Sequence, residues 1–209
     1  MGVAIVTKKI RLLTGLLMAV LATVSFAADE KNPLLITMQT TYGEIQIELY
    51  PDKAPVSANN FLRYVDGGHY NGSSFYRTVR YGNDNGNPKI EVIQGGRGDA
   101  EAPFGAIAHE TTEQTGILHT DGVISMARGD VGTASSEFFI CIGDQPGLDY
   151  GNVRNPDTQG FSAFGRVVSG MDVVRTIHDL PSDAAADSAY VAGQIIEQPA
   201  VIESIRRAE

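Results

Sequence analysis

Residues 44–49 alternate polar and apolar with period two, the spacing of a strand with one buried face. The stretch 34–40 precedes it across a turn containing Gly43, which predicts an opening β-hairpin. Between Pro55 and Gly67 the period lengthens: Ala58, Phe61, Leu62 and Val65 share one helical face, with Pro55 suited to a first turn and Gly67-Gly68 to a stop. A second helix is predicted over 170–180. Ser169 is its expected cap, Asp172 suits its first turn, Met171, Val174 and Ile177 share a face, and Pro181 ends it.

The other apolar runs are short and separated by glycine-rich turns: 90–94, 123–127, 138–142, 163–168 and 201–205. Many strands with two helices far apart in sequence fit a closed antiparallel barrel better than a parallel sheet, which needs a helix after most strands. The expected fold class is mainly β, a barrel with two flanking helices. Segments 80–89 and 152–160 interrupt the rhythm with Asn, Asp, Gly and Pro, as expected of exposed loops. Residues 82–86 resemble a calcium loop without the acidic first ligand or the closing glutamate, so no metal is expected.

The chain opens differently. Lys8, Lys9 and Arg11 precede an almost wholly apolar stretch, 12–24, and Ser25-Phe26-Ala27 supplies the small residues a signal peptidase reads. Residues 1–27 are therefore expected to be a cleaved leader, and 28–209 a single domain in the periplasm or secreted. An apolar run of about 15 residues is shorter than the roughly 20 needed to span a bilayer, so no stable membrane insertion is expected after the leader is removed. Removing the leader takes the formal charge from −9 to −12, the wrong sign for nucleic acid. The sole cysteine, Cys141, lies in an apolar run and reads as core.

Several catalytic signatures fail. His109-Glu110 has no second histidine four positions on, and neither a Gly-x-Ser-x-Gly elbow nor a phosphate-binding loop occurs. His69, His119 and His178 stand singly and read as structural or solvated.

An ordered set of fragments does carry chemistry. Phe75-Tyr76-Arg77 is followed by Gln94-Gly95-Gly96, Ser125-Met126-Ala127, and the run from Ser136 to Ile140. Leu148-Asp149 and Phe164-Gly165-Arg166-Val167 complete the series. Over about 35–206 this resembles the cyclophilins, peptidyl-prolyl cis/trans isomerases whose fold is a closed eight-stranded antiparallel barrel with its substrate groove on the outer face. The resemblance implies proline-containing polypeptides as partners, no cofactor and a monomer. Arg77 resembles the catalytic arginine and Gln94 its hydrogen-bonding neighbour. Met126, Phe139 and Leu148 resemble proline-pocket residues, and Val92 and Phe161 further groove positions. Ala127 and Arg128 resemble the segment whose backbone binds residues before proline. Phe75 reads as core.

Such a site needs no nucleophile. Rotation about X-Pro breaks no covalent bond but loses the amide resonance behind a barrier of about 18–20 kcal/mol. As the bond twists, the imide nitrogen regains a lone pair to which a fixed guanidinium donates a hydrogen bond. An apolar pocket holds the ring meanwhile, which favours the twisted state over the ground state.

The sequence departs from the family at four places. Glu91 stands where many members carry a pocket aromatic. Tyr76 and Glu137 replace a common histidine and glutamine, and Gly147 replaces the rim tryptophan that supports cyclosporin binding. The rival reading is a barrel that binds proline segments as a module or chaperone without useful catalysis; Glu91 and the inserted loops favour it, whereas Arg77 and Gln94 oppose it.

Overall fold

A computed structural model describes residues 1–2, 34–98 and 100–208, so the expected cleavage site and nearly all of the expected leader lie outside the described residues. The strands are β1 (Leu34–Thr40), β2 (Gly43–Leu49), β3 (Ser74–Val79), β4 (Val92–Gly96), β5 (Val123–Met126), β6 (Phe138–Cys141), β7 (Ser162–Ser169) and β8 (Ile195–Arg207). They close a barrel in the order β1-β2-β7-β5-β6-β4-β3-β8, with every pairing antiparallel. Closure satisfies the ladder groups that an open sheet would leave at its edges. The helices are α1 (Pro55–Asp66), α2 (Thr112–Thr115) and α3 (Met171–His178). No helix among the described residues is long and apolar enough to cross a membrane.

Period two sends Ile36 and Met38 of β1, and Ile45, Ile47 and Leu49 of β2, into one buried cluster. The apolar face of α1 adds Phe61, whose ring centroid lies 5.2 Å from Tyr70, 5.3 Å from Phe138 and 5.2 Å from Phe164. Fully burying each such aromatic contributes about 1.5–3 kcal/mol.

The first turn of α1 shows where the His109-Glu110 pair goes. Ala54, at the N-cap, offers no side-chain acceptor. The Glu110 carboxylate instead accepts from Val56 N (2.9 Å), Ser57 N (2.8 Å) and Ser57 Oγ (2.7 Å), satisfying N–H groups at the positive end of the helix.

Three elements depart from expectation. Ser169 does not cap α3: it stays in β7, opposite Gln46, and the N-cap is Gly170 at φ 88°. A Cβ on Gly170 would lie 3.0 Å from Ile45 Cα, so close passage against β2 requires glycine there. Helix α2 was not expected, although Thr111 and Gln114 form a capping box whose sequence signature is visible. Strand β8 begins at Ile195, well before the apolar run at 201–205.

Candidate active site

Strand β3 has the feature that creates the site. Its register with β4 runs Phe75↔Gly95 and then Arg77↔Gln94, so Tyr76 is an extra residue in a bulge. Under strict alternation Arg77 would share the inward face of Phe75. The bulge turns it outward instead, beside Val79. Gly95 permits this, because a Cβ there would lie 2.8 Å from the Phe75 ring and 2.9 Å from Ser74 O. Continuing across the barrel, Gln94 is registered with Phe139 and Val92 with Cys141.

The outward residues form a second apolar cluster: Val79, Ile90, Val92, Phe139, Cys141 and Leu148, with Ala127 and Phe161 packed against it. All but Cys141 floor a groove of about 300 Å³ whose rim includes Arg77, Gln94, Arg128, Glu137, Arg154, Asn155 and Tyr190. Phe161 meets Phe139 edge-on at 5.4 Å and 89°. Burial pushes the Cys141 thiol well up, consistent with an inert packing residue.

Eight of the nine expected site residues thus line this groove: Arg77, Val92, Gln94, Ala127, Arg128, Phe139, Leu148 and Phe161. The exception is Met126, which is 0% exposed and belongs to the barrel interior. Alternation along β5 is the reason, since Ile124 and Met126 point inward while Ser125 points toward the groove side. The position expected for an aromatic is also revised: Ile90, not Glu91, lines the groove.

Arg77 is held between two neutral amides. Its Nη1 donates to Gln94 Oε1 (2.8 Å), while Nε (2.9 Å) and Nη2 (2.6 Å) both donate to Gln194 Oε1. Burial pulls its pKa down, yet a guanidinium remains charged. On the Gln94 side the bonds continue in one direction. Gln94 Nε2 donates to Tyr76 Oη (2.8 Å), and Tyr76 donates to Glu137 Oε2 (2.6 Å). Glu137 also accepts from Ser136 Oγ, Arg97 N and Gly98 N. The substitutions at Tyr76 and Glu137 are therefore partners. Burial raises the pKa of both groups, so each hydroxyl or carboxyl proton is held more tightly than in water.

The two segments expected as exposed loops meet beside the groove through a buried pair. Arg154 donates from Nη1 to Asp84 Oδ2 (2.7 Å) and from Nη2 to Asp84 Oδ1 (2.8 Å). The side chains are only 3% and 0% exposed. Arg154 also donates to Pro88 O and Tyr190 Oη, and its guanidinium fills the space a side chain at Gly86 would need. Pro88 lies over Gly147, where an added Cβ would come within 2.6 Å of its ring. The inserted loop thus occupies the space left by the missing rim side chain. Arg128 is equally committed: its guanidinium donates to Gly160 O and both Asp157 oxygens and covers Phe161, which holds Asp157 down at about 2.

Beneath Phe139 lies an arrangement that sequence motifs did not reveal. His119 Nδ1 is 2.7 Å from Asp149 Oδ1, and Nε2 is 3.0 Å from Ser125 Oγ. The order is that of a hydrolytic triad, but Ser125 is 0% exposed and His119 stacks on Phe139 (5.9 Å, 17°), so no acyl substrate reaches the hydroxyl. It braces the floor. Gln194, Tyr190 and Arg154 also escaped sequence reasoning, because each lies in an irregular segment without periodicity.

Comparison with known proteins adds the relatives. The family model described as cyclophilin type peptidyl-prolyl cis-trans isomerase/CLD matches residues 35–207. A peptidyl-prolyl cis-trans isomerase of Acinetobacter baylyi is 35% identical over 176 residues, 82% of this chain and 84% of that one. Peptidyl-prolyl cis-trans isomerase A of Dickeya dadantii is 32% identical over 185 residues, 87% of each chain. Among solved structures, a Cryptosporidium parvum cyclophilin type isomerase matches with TM-score 0.65 and 21% identity, over 85% of this chain and 99% of that one. The same protein crystallised in the presence of the dipeptide Ala-Pro matches with TM-score 0.64. The structural likeness carries the closed barrel.

Proposed function

We propose, for a chain that belongs to the cyclophilin type peptidyl-prolyl cis-trans isomerase family, that Arg77 drives the isomerisation and that its clients are exported polypeptides. One observation carries the assignment of Arg77: a bulge aims the guanidinium over an apolar floor, where two neutral amide oxygens hold it. A carboxylate in their place would compete for the charge. The terminal nitrogens each keep a second hydrogen to direct at an imide nitrogen.

The proline ring rests on Val92, Phe139 and Leu148 while the preceding carbonyl swings. Burying the ring contributes affinity to ground and transition state alike. The hydrogen bond from Arg77 strengthens only when the nitrogen becomes pyramidal, so it lowers the barrier. No proton is transferred and no covalent intermediate forms.

Exchange NMR on an Ala-Pro peptide tests the assignment. Arg77→Ala is expected to lose roughly 10²–10³ in rate, as for removal of one preorganised transition-state donor. Arg77→Lys keeps charge but loses the planar fork, and is expected to restore little. Near-parental exchange by a folded Arg77→Ala protein would overturn the assignment. A parent protein that binds the peptide but does not accelerate exchange would favour the binding-module reading.

The setting rests on the basic, apolar and small-residue order at the N-terminus. Expression of the full chain in a host with a periplasm is expected to yield envelope protein whose intact mass begins near Ala28. Recovery of a chain that retains 12–24 would refute export by a cleaved leader.

A further inference from the structure

The segment between α3 and β8 has no periodicity and no motif, yet it ends by delivering Gln194 to Arg77. Gln194 is 0% exposed, so its amide has no water to fall back on. Its Oε1 accepts from both Nε and Nη2 of Arg77, which fixes the plane of the guanidinium; Gln94, on Nη1 alone, leaves a hinge.

An amide has two ends of nearly equal size and opposite polarity, so something must choose which one faces Arg77. Gln194 Nε2 donates to Asn83 O at 2.8 Å. A flipped amide would set NH2 against a guanidinium and a carbonyl against a carbonyl. Asn83 is itself held: its Oδ1 accepts from Arg80 N (2.6 Å), and its Nδ2 donates to Gly193 O (2.8 Å). Backbone bonds add to this, since Thr78 N, next to Arg77, donates to Gln194 O (2.9 Å).

We infer that Gln194 is a positioning residue for isomerisation, its amide oriented by Asn83 of the inserted loop. This rests on the assignment of Arg77 as the catalytic group. The inserted loop then acts at a distance from the peptide, by fixing which way the guanidinium points.

The test uses Gln194→Met, which keeps length and volume but removes the acceptor. Expected are a fall in kcat of roughly 10- to 100-fold, as for a misplaced catalytic group, and a KM within about twofold of the parent because no ring contact is lost. In ¹⁵N-labelled protein the Arg77 Nε–H should exchange slowly with water in the parent and quickly in the variant. A general loosening of the fold would not single out that signal. In an Arg77→Ala background, Gln194→Met should cost nothing further.

An Arg77→Ala protein with parental activity would remove the catalytic assignment itself. If Arg77→Ala is inactive but Gln194→Met keeps parental kcat, raises KM alone, or lowers the residual Arg77→Ala rate equally, the positioning role falls while the assignment stands. Should Gln194→Met not fold, Gln194→Asn carries the same test, because the shorter side chain cannot reach both Nε and Nη2 of Arg77; a kcat loss at constant KM is expected, and parental kcat overturns the inference.

Discussion

The barrel interior and the outer groove share strands β3, β4 and β6, but different forces hold them. Inside, Phe61, Phe75, Phe138 and Phe164 interlock with aliphatic neighbours through non-directional packing. Outside, a small apolar floor is surrounded by directional bonds: Arg77 between two glutamines, Tyr76 on Glu137, Arg154 on Asp84 and His119 on Asp149. Packing cannot aim a donor, whereas a bidentate hydrogen bond can. Interior substitutions should therefore reduce stability, and substitutions of Arg77 or the two glutamines that hold it should reduce rate more than stability.

The largest test of this contrast is Phe138→Ala, which opens a cavity against Phe61, Tyr70 and Phe75. A stability loss of about 3–5 kcal/mol is expected in urea denaturation. A loss under about 1 kcal/mol would break the distinction between the regions.

Next comes Asp84→Ala, which strands Arg154 without its carboxylate. If the pair unfolds with the domain, the cost is about 3 kcal/mol, because the remaining charge is buried and uncompensated. Replacing both partners, as Asp84→Leu with Arg154→Met, should cost less than the single change. Equal losses would mean that the loops open locally and water reaches Arg154.

Cyclosporin binding sharpens the comparison at the rim. Without an indole at position 147, affinity is expected to fall by about tenfold or more relative to tryptophan-bearing relatives, since a hydrogen bond and ring contact are both lost. Gly147→Trp alone should not restore it, because Pro88 lies over that position. Tight inhibition of the parent in titration would defeat this reading.

The smallest effect is a pH slope from His119. Burial lowers its pKa below the ordinary value, against the opposing pull of Asp149. The unfolded chain, titrating near about 6.5, binds a proton that the native state resists. Its contribution to stability is complete above that pH and is lost as pH falls through the lowered native value. Glu137, with its pKa raised by burial, contributes a slope of opposite sign, and the buried His178 adds to that of His119. Hence the readout is the difference between parent and His119→Gln in denaturation from pH 7.5 to 5. Identical slopes would show that His119 binds its proton as readily in the native state as in the unfolded chain, and a difference of opposite sign that it is charged in the native state.

Legibility follows the same divide. Period-two runs at 34–40 and 44–49 and the helical face of Phe61 were visible because interior packing is written as spacing. Arg77, Gln94, Phe139 and Leu148 were visible as ordered fragments shared with a family. Met126 was misplaced because spacing along the chain does not say which face of β5 turns outward. Gln194, Tyr190, Asp84 and Arg154 carried no signal: the bonds that join Gln194 to Arg77, Asp84 to Arg154 and Tyr190 to Arg154 span 117, 70 and 36 residues, and no local period links them.

By itself, the sequence determined that this chain forms a barrel with two principal helices and a set of residues suited to proline isomerisation, because strands and helices imprint their periods on apolar positions. Only the tertiary structure decided that Tyr76 bulges, that Arg77 therefore points outward, and that Gln194, 117 residues on, meets its guanidinium. The physical reason is that orientation depends on closing the barrel and pairing buried polar groups, both of which join residues far apart in the chain.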